Sequence, residues 1–300
     1  MAAGQAIEVR RRPSPAHYAR VRLRRHAERT LLVWLPLGLF IILTLFPFYW
    51  MAITSVKPDR ELYNLRAAQY WVSQPTLDHY VYLLQKTIYW RWLFNTMFVA
   101  ITSTTLSVGI AILSGYALAR LRFWGAGVFG LVIGVSYLVP QTLLFIPMFD
   151  VIRTLNIADT YLAMILPYQT FLIPFCTFLM LGYFKSIPQE LEECARIDGA
   201  SRIGALLWIV LPLATPGILS ATIFSFTFCW NEYLYALVFT TSSTMKTLPI
   251  GVVTELIHGD VFFWGSLMAS AMLGAIPVTI VYTFFAEYYV AGLTAGAVKG

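Results

Sequence analysis

The sequence predicts an all-α membrane protein with six transmembrane helices. Hydrophobic residues make up 58% of the 300 residues and charged residues only 12%, whereas a soluble domain typically has about 25% charged residues. The chain also contains six apolar stretches, each close to the roughly 20 residues that cross a bilayer core as a helix. They run over residues 31–53, 92–118, 127–149, 160–182, 206–231 and 264–288.

Prolines lie inside five of these stretches or at their ends, and neighbouring helices satisfy the backbone groups that such prolines free in a membrane. The first stretch is too long for the apolar part of a signal peptide, and about 30 residues precede it. We therefore expect it to be a retained span. The prolines are Pro36, Pro47, Pro140, Pro147, Pro167, Pro174, Pro212, Pro216 and Pro277.

The positive charge is concentrated before the first span. Eight of the 21 Lys and Arg residues lie before residue 30. A basic tail also suits nucleic acid, but next to a span it more often sets topology and contacts anionic lipid, so we predict lipid contact and no nucleic-acid partner. The expected organisation is a cytoplasmic tail at 1–30, one six-span domain at 31–291 and a cytoplasmic tail at 292–300.

The sequence shows no metal, cofactor or ATP site of its own. Its three cysteines have no C-x-x-C spacing and its four histidines are scattered, so no metal site is predicted. The Lys-Ser and Lys-Thr pairs follow Gln85, Phe184 and Met245, whereas a phosphate-binding loop requires glycine there. With no local serine-hydrolase or zinc-protease motif either, we expect a non-catalytic chain.

The segment 186–205 contains EECARIDGAS, which is unusually charged for this chain. Ser186 and Gln189 have capping-box spacing, and Pro188 suits a first helical turn. Gly199 is expected to end that helix, and Ser201 to cap a second one. The ordinary alternative is a solvated loop. It leaves the helix–glycine–helix order and the small Ala195 and Ala200 unexplained.

This segment closely resembles the EAA motif of bacterial ABC importer permeases. The matching residues are Glu193, Ala195, Asp198, Gly199, Ala200, Leu211 and Pro212, with Cys194 in place of the usual first alanine. GYALARLRF at 115–123, VPQTLLFIP at 139–147, LPY at 166–168, CWNEYLYAL at 229–237 and the terminal AGLTAGAVKG resemble carbohydrate permeases of the maltose type. The resemblance covers about residues 30–300 and is nearest to the second of the two permease subunits.

The resemblance implies a type I ABC importer permease fold in a prokaryotic cytoplasmic membrane, with both termini inside. The implied function is alternating-access import of a sugar, a polyol or a modified sugar. The implied partners are a second homologous permease, a dimer of ATPase subunits that hold ATP and Mg²⁺, and an extracytoplasmic solute-binding protein. The residues implied in coupling to the ATPase are Glu192, Glu193, Cys194, Ala195, Asp198, Gly199, Ala200 and Ser201, with Val298, Lys299 and Gly300 reaching it from the C-terminal tail.

Polar residues in or near the spans are candidates for a solute pathway, because intramembrane polarity is costly and often lines cavities. Each also has a structural interpretation, such as helix capping, an interfacial aromatic belt or a bond to a neighbouring helix. The pathway candidates are Asn95, Tyr137, Gln141, Trp230, Asn231 and Glu232, with Thr96, Gln169 and Tyr233 as further polar or aromatic neighbours.

An ion-gradient-driven secondary transporter or a channel subunit is the alternative function. Such a protein uses intramembrane charges as ion sites. The predicted spans are nearly free of charge except close to their ends, as at Glu232 and Glu287, which favours the importer.

Overall fold

The computed structural model describes residues 30–64, 70–259 and 261–297, with side chains described through residue 285. A first compact unit ends at Ile53, and a second begins at Thr54. The predicted basic tail at 1–29 and the last three residues lie outside the described residues.

The described part is built almost entirely of helices. A π-helical turn at Thr30–Trp34 leads into α1 (Leu35–Ser55), and the following helices are α2 (Asp59–Leu62), α3 (Asp78–Lys86), α4 (Tyr89–Arg120), α5 (Ala126–Leu138), α6 (Gln141–Thr154), α7 (Leu162–Ser186), α8 (Gln189–Ile197), α9 (Arg202–Leu213, with a π-helical stretch at Leu206–Val210), α10 (Thr215–Asn231), α11 (Leu234–Phe239), α12 (Leu248–Leu256) and α13 (Trp264–Ala297). Strands β1 (Ile257–His258) and β2 (Val261–Phe262) form an antiparallel hairpin between α12 and α13.

Within the described ranges, four helical stretches are long and apolar enough to cross a membrane unbroken. They are Leu31–Ser55, α4, α7 and Trp264–Phe285 of α13. Two further stretches are bent helix pairs, α5–α6 by 101° and α9–α10 by 75°. The chain reaches the six predicted spans if each bent pair counts as one span, and the stretches at 127–149 and 206–231 are then broken by a bend.

Proline chemistry accounts for the position of both bends. Pro140 has no N–H with which to continue the α5 ladder, and Val139 before it adopts the extended backbone that a following proline favours. Pro216 similarly cannot donate to a carbonyl one turn earlier, and the helix direction changes at Ala214 just before it. The sequence marked these prolines as tolerated, whereas here they divide the helices.

The centre of the second unit is the packing of α4 against α7, with α10 packed on both. A Cβ on Gly115 would lie 2.9 Å from Met180 Cβ and 3.1 Å from the Leu181 amide nitrogen. Glycine therefore allows the two backbones to approach, as small residues do at membrane helix contacts. Hydrogen bonds also cross these helices, between Ser114 and Thr177 hydroxyls at 2.8 Å.

The loop after α11 is anchored on α4. Asn95 Nδ2 donates to the Thr244 and Lys246 carbonyls, each at 2.8 Å, and Asn95 Oδ1 accepts from Tyr161 Oη at 2.7 Å. Trp92 Nε1 donates to the Ser243 carbonyl at 2.9 Å. These bonds satisfy polar groups in a buried setting and fix the loop to the rigid core.

The last helix is longer than the sequence predicts. The backbone of α13 stays helical through Ala297, past residue 291, where the C-terminal tail was expected to begin. The end of a helix is not the edge of a membrane, so the tail at 292–300 stays a prediction.

Candidate functional site

The segment between α7 and α10 carries the residues predicted for coupling. α7 continues through Ser186, whose Oγ donates to the Tyr183 carbonyl at 2.8 Å. Pro188 then takes the N-cap position of α8 with φ −56° and ψ 133°. The expected Ser186–Gln189 capping box is therefore wrong, because the Ser186 hydroxyl is used within α7. Pro188 also precedes the helix instead of lying in its first turn.

The turn that ends α8 is the one the sequence predicts. Gly199 has φ +94°, a left-handed conformation that suits glycine. The Ala200 amide donates to the Ala195 carbonyl at 2.9 Å and the Gly199 amide to the Arg196 carbonyl at 3.2 Å. This pair of bonds is a Schellman motif, which stops a helix sharply and satisfies its last carbonyls.

Ser201 begins the next helix as predicted. Its Oγ accepts from the Gly204 amide at 3.0 Å, and its extended backbone, φ −67° and ψ 166°, is that of an N-cap residue. Only one residue, Ala200, separates Gly199 from this cap. Two capped helices are therefore joined by a very short turn, which makes the corner stiff.

The surface of this corner is open. Glu193, Cys194, Asp198, Gly199 and Ser201 are exposed, and Ala195 and Ala200 are half-buried. Two apolar side chains that sequence reasoning missed flank the turn: Ile197 is 84% exposed and Ile203 is 70% exposed. Large apolar side chains that are exposed to this degree are typical of protein-contact surfaces.

Glu192 differs from the other residues predicted for coupling because its carboxylate faces α4. Its Oε2 lies 3.3 Å from Arg120 Nε as an ion pair that lacks hydrogen-bond alignment, and its Oε1 accepts from Tyr116 Oη. Only 12% of the Glu192 side chain and 6% of the Arg120 side chain are exposed. Neither Arg120 nor Tyr116 was a predicted site residue.

At the end of α10, Glu232 is the centre of a hydrogen-bond network. Its Oε2 accepts from Tyr168 Oη at 2.6 Å and its Oε1 from the Tyr235 amide at 2.8 Å. The Ala236 amide also donates to Oε2 at 3.2 Å. The carboxylate therefore caps α11 and joins it to α7, because a negative group at a helix N-terminus satisfies free N–H groups.

Asn231 and Glu232 also line a groove between α10 and α13. It has a volume of about 320 Å³ and a mostly apolar lining with Thr227 and Tyr282 as further polar groups. Asn231 is exposed, and its Nδ2 donates within α10 to the Thr227 carbonyl at 2.8 Å. Thr227 Oγ1 and Tyr282 Oη lie 3.1 Å apart. Two predicted pathway residues thus share one concave surface.

The other predicted pathway residues lie apart from this groove. Trp230 is buried and stacks on Phe226, with ring centroids 5.5 Å apart. Tyr137 is exposed near Phe175. Gln141 begins α6, and its carbonyl accepts from Tyr235 Oη at 3.1 Å. Asn95 is fully buried, so it has no exposed polar atom with which to contact a solute.

Two tyrosines that sequence reasoning missed connect these groups. Tyr168 and Tyr235 are buried, and their rings stack with centroids 6.4 Å apart. Tyr168 carries the bond to Glu232, and Tyr235 carries the bond to Gln141. The sequence offered a weak signal for Tyr168, a hydroxyl in an apolar run beside Pro167. The predicted contacts of Val298, Lys299 and Gly300 lie outside the described residues.

Comparison with known proteins decides the family. A family model described as binding-protein-dependent transport system inner membrane component matches residues 107–294. The chain belongs to this family. The predicted resemblance to ABC importer permeases is therefore confirmed, and relatives named for sugar transport confirm the carbohydrate type. The groups described above are parts of a permease subunit.

Curated relatives match this permease over nearly its whole length. It is 38% identical to the sulfoquinovosyl glycerol transport system permease protein SmoH of Agrobacterium fabrum, over 88% of this chain and 92% of that protein. It is 35% identical to the trehalose/maltose transport system permease protein MalG of Thermococcus litoralis, over 93% of this chain and 100% of that protein.

A solved structure confirms the fold of this permease. It is a chain of a bacterial ABC transporter involved in the import of the acidic polysaccharide alginate, matched with a TM-score of 0.77 at 23% identity. The match covers 88% of this chain and 98% of that chain. The all-α importer permease fold predicted from the sequence is confirmed.

Proposed function

We propose that this chain is the permease subunit of an ABC importer that carries a sugar across the prokaryotic cytoplasmic membrane by alternating access. ATP hydrolysis on partner chains drives the cycle, and the α8–α9 corner receives the motion. The corner is the observation that carries this proposal. Two helices meet at a turn of four residues, 198–201, and the exposed Ile197 and Ile203 flank it.

This corner has the physical properties of a coupling element. Its helices are capped on both sides of Gly199 by the Schellman bonds and by Ser201. A stiff, short element passes on a displacement with little loss, and it must act on a partner that has two discrete states. We place Glu193, Cys194, Ala195, Asp198, Gly199, Ala200 and Ser201 at the contact with the ATPase, and add Ile197 and Ile203.

The ATPase belongs to a separate chain. No Lys-Ser or Lys-Thr pair in the sequence follows the glycine that a phosphate-binding loop requires. ATP and Mg²⁺ are therefore assigned to a dimer of partner ATPase subunits, and the permease itself is non-catalytic. The C-terminal residues Val298, Lys299 and Gly300 are proposed to contact the same dimer.

The solute is proposed to be a mono- or oligosaccharide, a polyol or a modified sugar. The names of the relatives support this class, since they include transporters of sulfoquinovosyl glycerol, trehalose/maltose and diacetylchitobiose. An extracytoplasmic binding protein delivers the solute, and a second permease completes the pathway. The groove that holds Asn231 and Glu232 is this chain's proposed contribution to the pathway.

Affinity purification of the tagged chain from its native host in mild detergent, followed by mass spectrometry, tests this proposal. We expect an ATPase with a phosphate-binding loop and a second permease of six to eight spans to co-purify. A chain that purifies alone or only with itself, in a detergent that preserves other complexes, contradicts the proposal and favours an ion-driven transporter.

A further inference from the structure

The coupling helix α8 is tied to α4 by one cluster of side chains. Arg120, in the last turn of α4, places its Nε 3.3 Å from Glu192 Oε2. Tyr116, one turn earlier on α4, donates its hydroxyl hydrogen to Glu192 Oε1. Both carboxylate oxygens of Glu192 therefore face α4.

Arg120 also holds the connection that leads into α8. Its Nη2 donates to the Ile187 carbonyl at 2.6 Å. Ile187 is the residue between the end of α7 and Pro188. One guanidinium thus fixes α8 at two points, at its entry through the backbone and in its first turn through Glu192.

The cluster attaches α8 to α4 through polar side chains. No apolar side chain of α8 is buried, so apolar packing contributes little to its position, whereas only 12% of the Glu192 side chain is exposed. Buried ion pairs are weak devices for stability, because desolvation offsets most of the attraction. Their best-attested use is to fix one arrangement against others, and that is what a coupling helix requires.

The opposite end of the attachment lies in the rigid core. Tyr116 and Arg120 follow Gly115, where the backbones of α4 and α7 lie close together around Met180. A displacement of α8 that is transmitted to Arg120 therefore enters the α4–α7 pair directly. α8 also packs on the π-helical stretch Leu206–Val210 of α9, beyond the Gly199 turn, whereas Arg120 and Tyr116 attach it to α4.

We propose that Arg120 and Tyr116 are positioning residues that bind Glu192 and thereby pass the motion of α8 into α4. Glu192 then acts inside the permease, and the exposed residues of the corner make the contact with the ATPase. This inference rests on the proposed function. It assigns to the Arg120–Glu192–Tyr116 cluster a role in transmission, separate from docking.

The test uses the importer purified with its partner chains and reconstituted in lipid vesicles, with MgATP and vanadate as the probe. Cys194→Ala removes the exposed thiol, and Asn231→Cys adds a reporter, since Cys176 and Cys229 are buried. A membrane-impermeant maleimide then measures how nucleotide trapping changes access to residue 231. If residue 231 of this reference protein is labelled at the same rate with and without trapped nucleotide, the proposed alternating access itself is contradicted.

Arg120→Met, Glu192→Met and the double variant are compared in this reference, with Glu190→Met as the matched control on an exposed glutamate of α8. Each single variant leaves an unpaired buried charge, whereas the double variant removes both charges and protects the fold. We expect the double variant to regain thermal stability and to trap nucleotide. The change in the labelling rate of residue 231 on nucleotide trapping should be smaller than in the reference by about threefold or more, which is the scale on which such positions alter coupling.

The control variant Glu190→Met should show the same change in the labelling rate of residue 231 as the reference. A double variant that regains stability and also shows the full change at residue 231 would overturn the inference, because the cluster would then serve stability alone. Loss of the ATPase chain from the double variant would also overturn it, because Glu192 would then be required for docking.

Discussion

Tyr168 donates a 2.6 Å hydrogen bond to Glu232 and so joins the second turn of α7 to the end of α10. Tyr168 is fully buried, and the same carboxylate caps α11 through the Tyr235 and Ala236 amides. One acidic side chain therefore fixes three helices where the chain turns after its fifth apolar stretch.

Glu232→Ala should destabilise the permease more than Tyr168→Phe. Glu232→Ala leaves the buried Tyr168 hydroxyl and two helix N–H groups without an acceptor, at about 1–3 kcal/mol for each buried group. Tyr168→Phe removes one bond, about 1 kcal/mol, and the carboxylate keeps its two amides. The thermal midpoint of the purified protein in detergent measures both, with Tyr137→Phe at an exposed tyrosine as the control. Equal midpoints for the two variants would refute the capping role.

Asn231→Ala should slow import without changing which sugar is preferred. Asn231 lines the groove, but its Nδ2 is already bound to the Thr227 carbonyl within α10, so we expect it to shape the route and not to select the sugar. We expect a fall of about threefold, equivalent to roughly 0.7 kcal/mol of hydrogen bonding. Uptake of paired labelled sugars, such as trehalose and maltose, measures rate and preference together. A changed ratio of the two rates would assign sugar selection to this chain.

The loop before α7 should lose an attachment in acid. Asp159 Oδ1 accepts from the Thr241 and Ser242 amides at 2.9 and 3.0 Å. Burial raises the pKa of Asp159, but these hydrogen bonds and that of the Ser242 hydroxyl outweigh it and hold the pKa below its ordinary value. The stabilisation of the loop by ionised Asp159 is therefore complete above the ordinary aspartate pKa of about 4. It is lost as the pH falls through the lowered pKa of Asp159.

Asp159→Asn supplies the comparison for this pH dependence. Wild type should have the higher thermal midpoint at neutral pH, and the difference from the variant should shrink as pH drops below about 4. A difference that stays constant from pH 7 to pH 3 would show that ionised Asp159 contributes nothing to the attachment.

Maleimide should modify Cys194 and spare the other two cysteines. Cys194 is exposed on α8, whereas Cys176 and Cys229 are buried in the helix core, and thiol reactivity requires access. Binding of the ATPase should slow labelling of Cys194, because the proposed contact covers it. Cys194→Ala should abolish labelling, which identifies the site. Labelling at the same rate with and without the ATPase would remove Cys194 from the contact.

The elements governed by local chemistry are predictable from the sequence. Gly199 and Ser201 lie where the sequence expects a helix stop and a helix cap, because both devices depend on residues within one turn. The apolar stretches likewise predict α4 and α7 to within a few residues. Family membership followed from motifs that are themselves local.

Features that depend on distant parts of the chain were not predictable. Arg120 and Glu192 are 72 positions apart, and only the fold brings them together. Asn95 is a predicted pathway residue because it is polar in an apolar run, whereas its bonds to the Thr244 and Lys246 carbonyls are a tertiary feature that no local pattern signals. A bend at Pro140 was equally hidden, since prolines elsewhere, such as Pro174 in α7, leave a helix unbroken.

The most direct test of the coupling role compares two glycine variants. Gly199 and Gly125 both have positive φ, +94° and +89°, and a Cβ on either meets no atom of this chain within 4 Å. Gly199→Asp and Gly125→Asp therefore carry similar backbone strain, about 1–2 kcal/mol, but only the first adds a side chain to the α8–α9 turn. Co-purification of the ATPase and the second permease with each variant is the measurement. We predict that Gly125→Asp retains both partners, whereas Gly199→Asp retains the second permease, loses the ATPase and abolishes uptake. A Gly199→Asp variant that keeps the ATPase and imports solute at the wild-type rate would contradict the account.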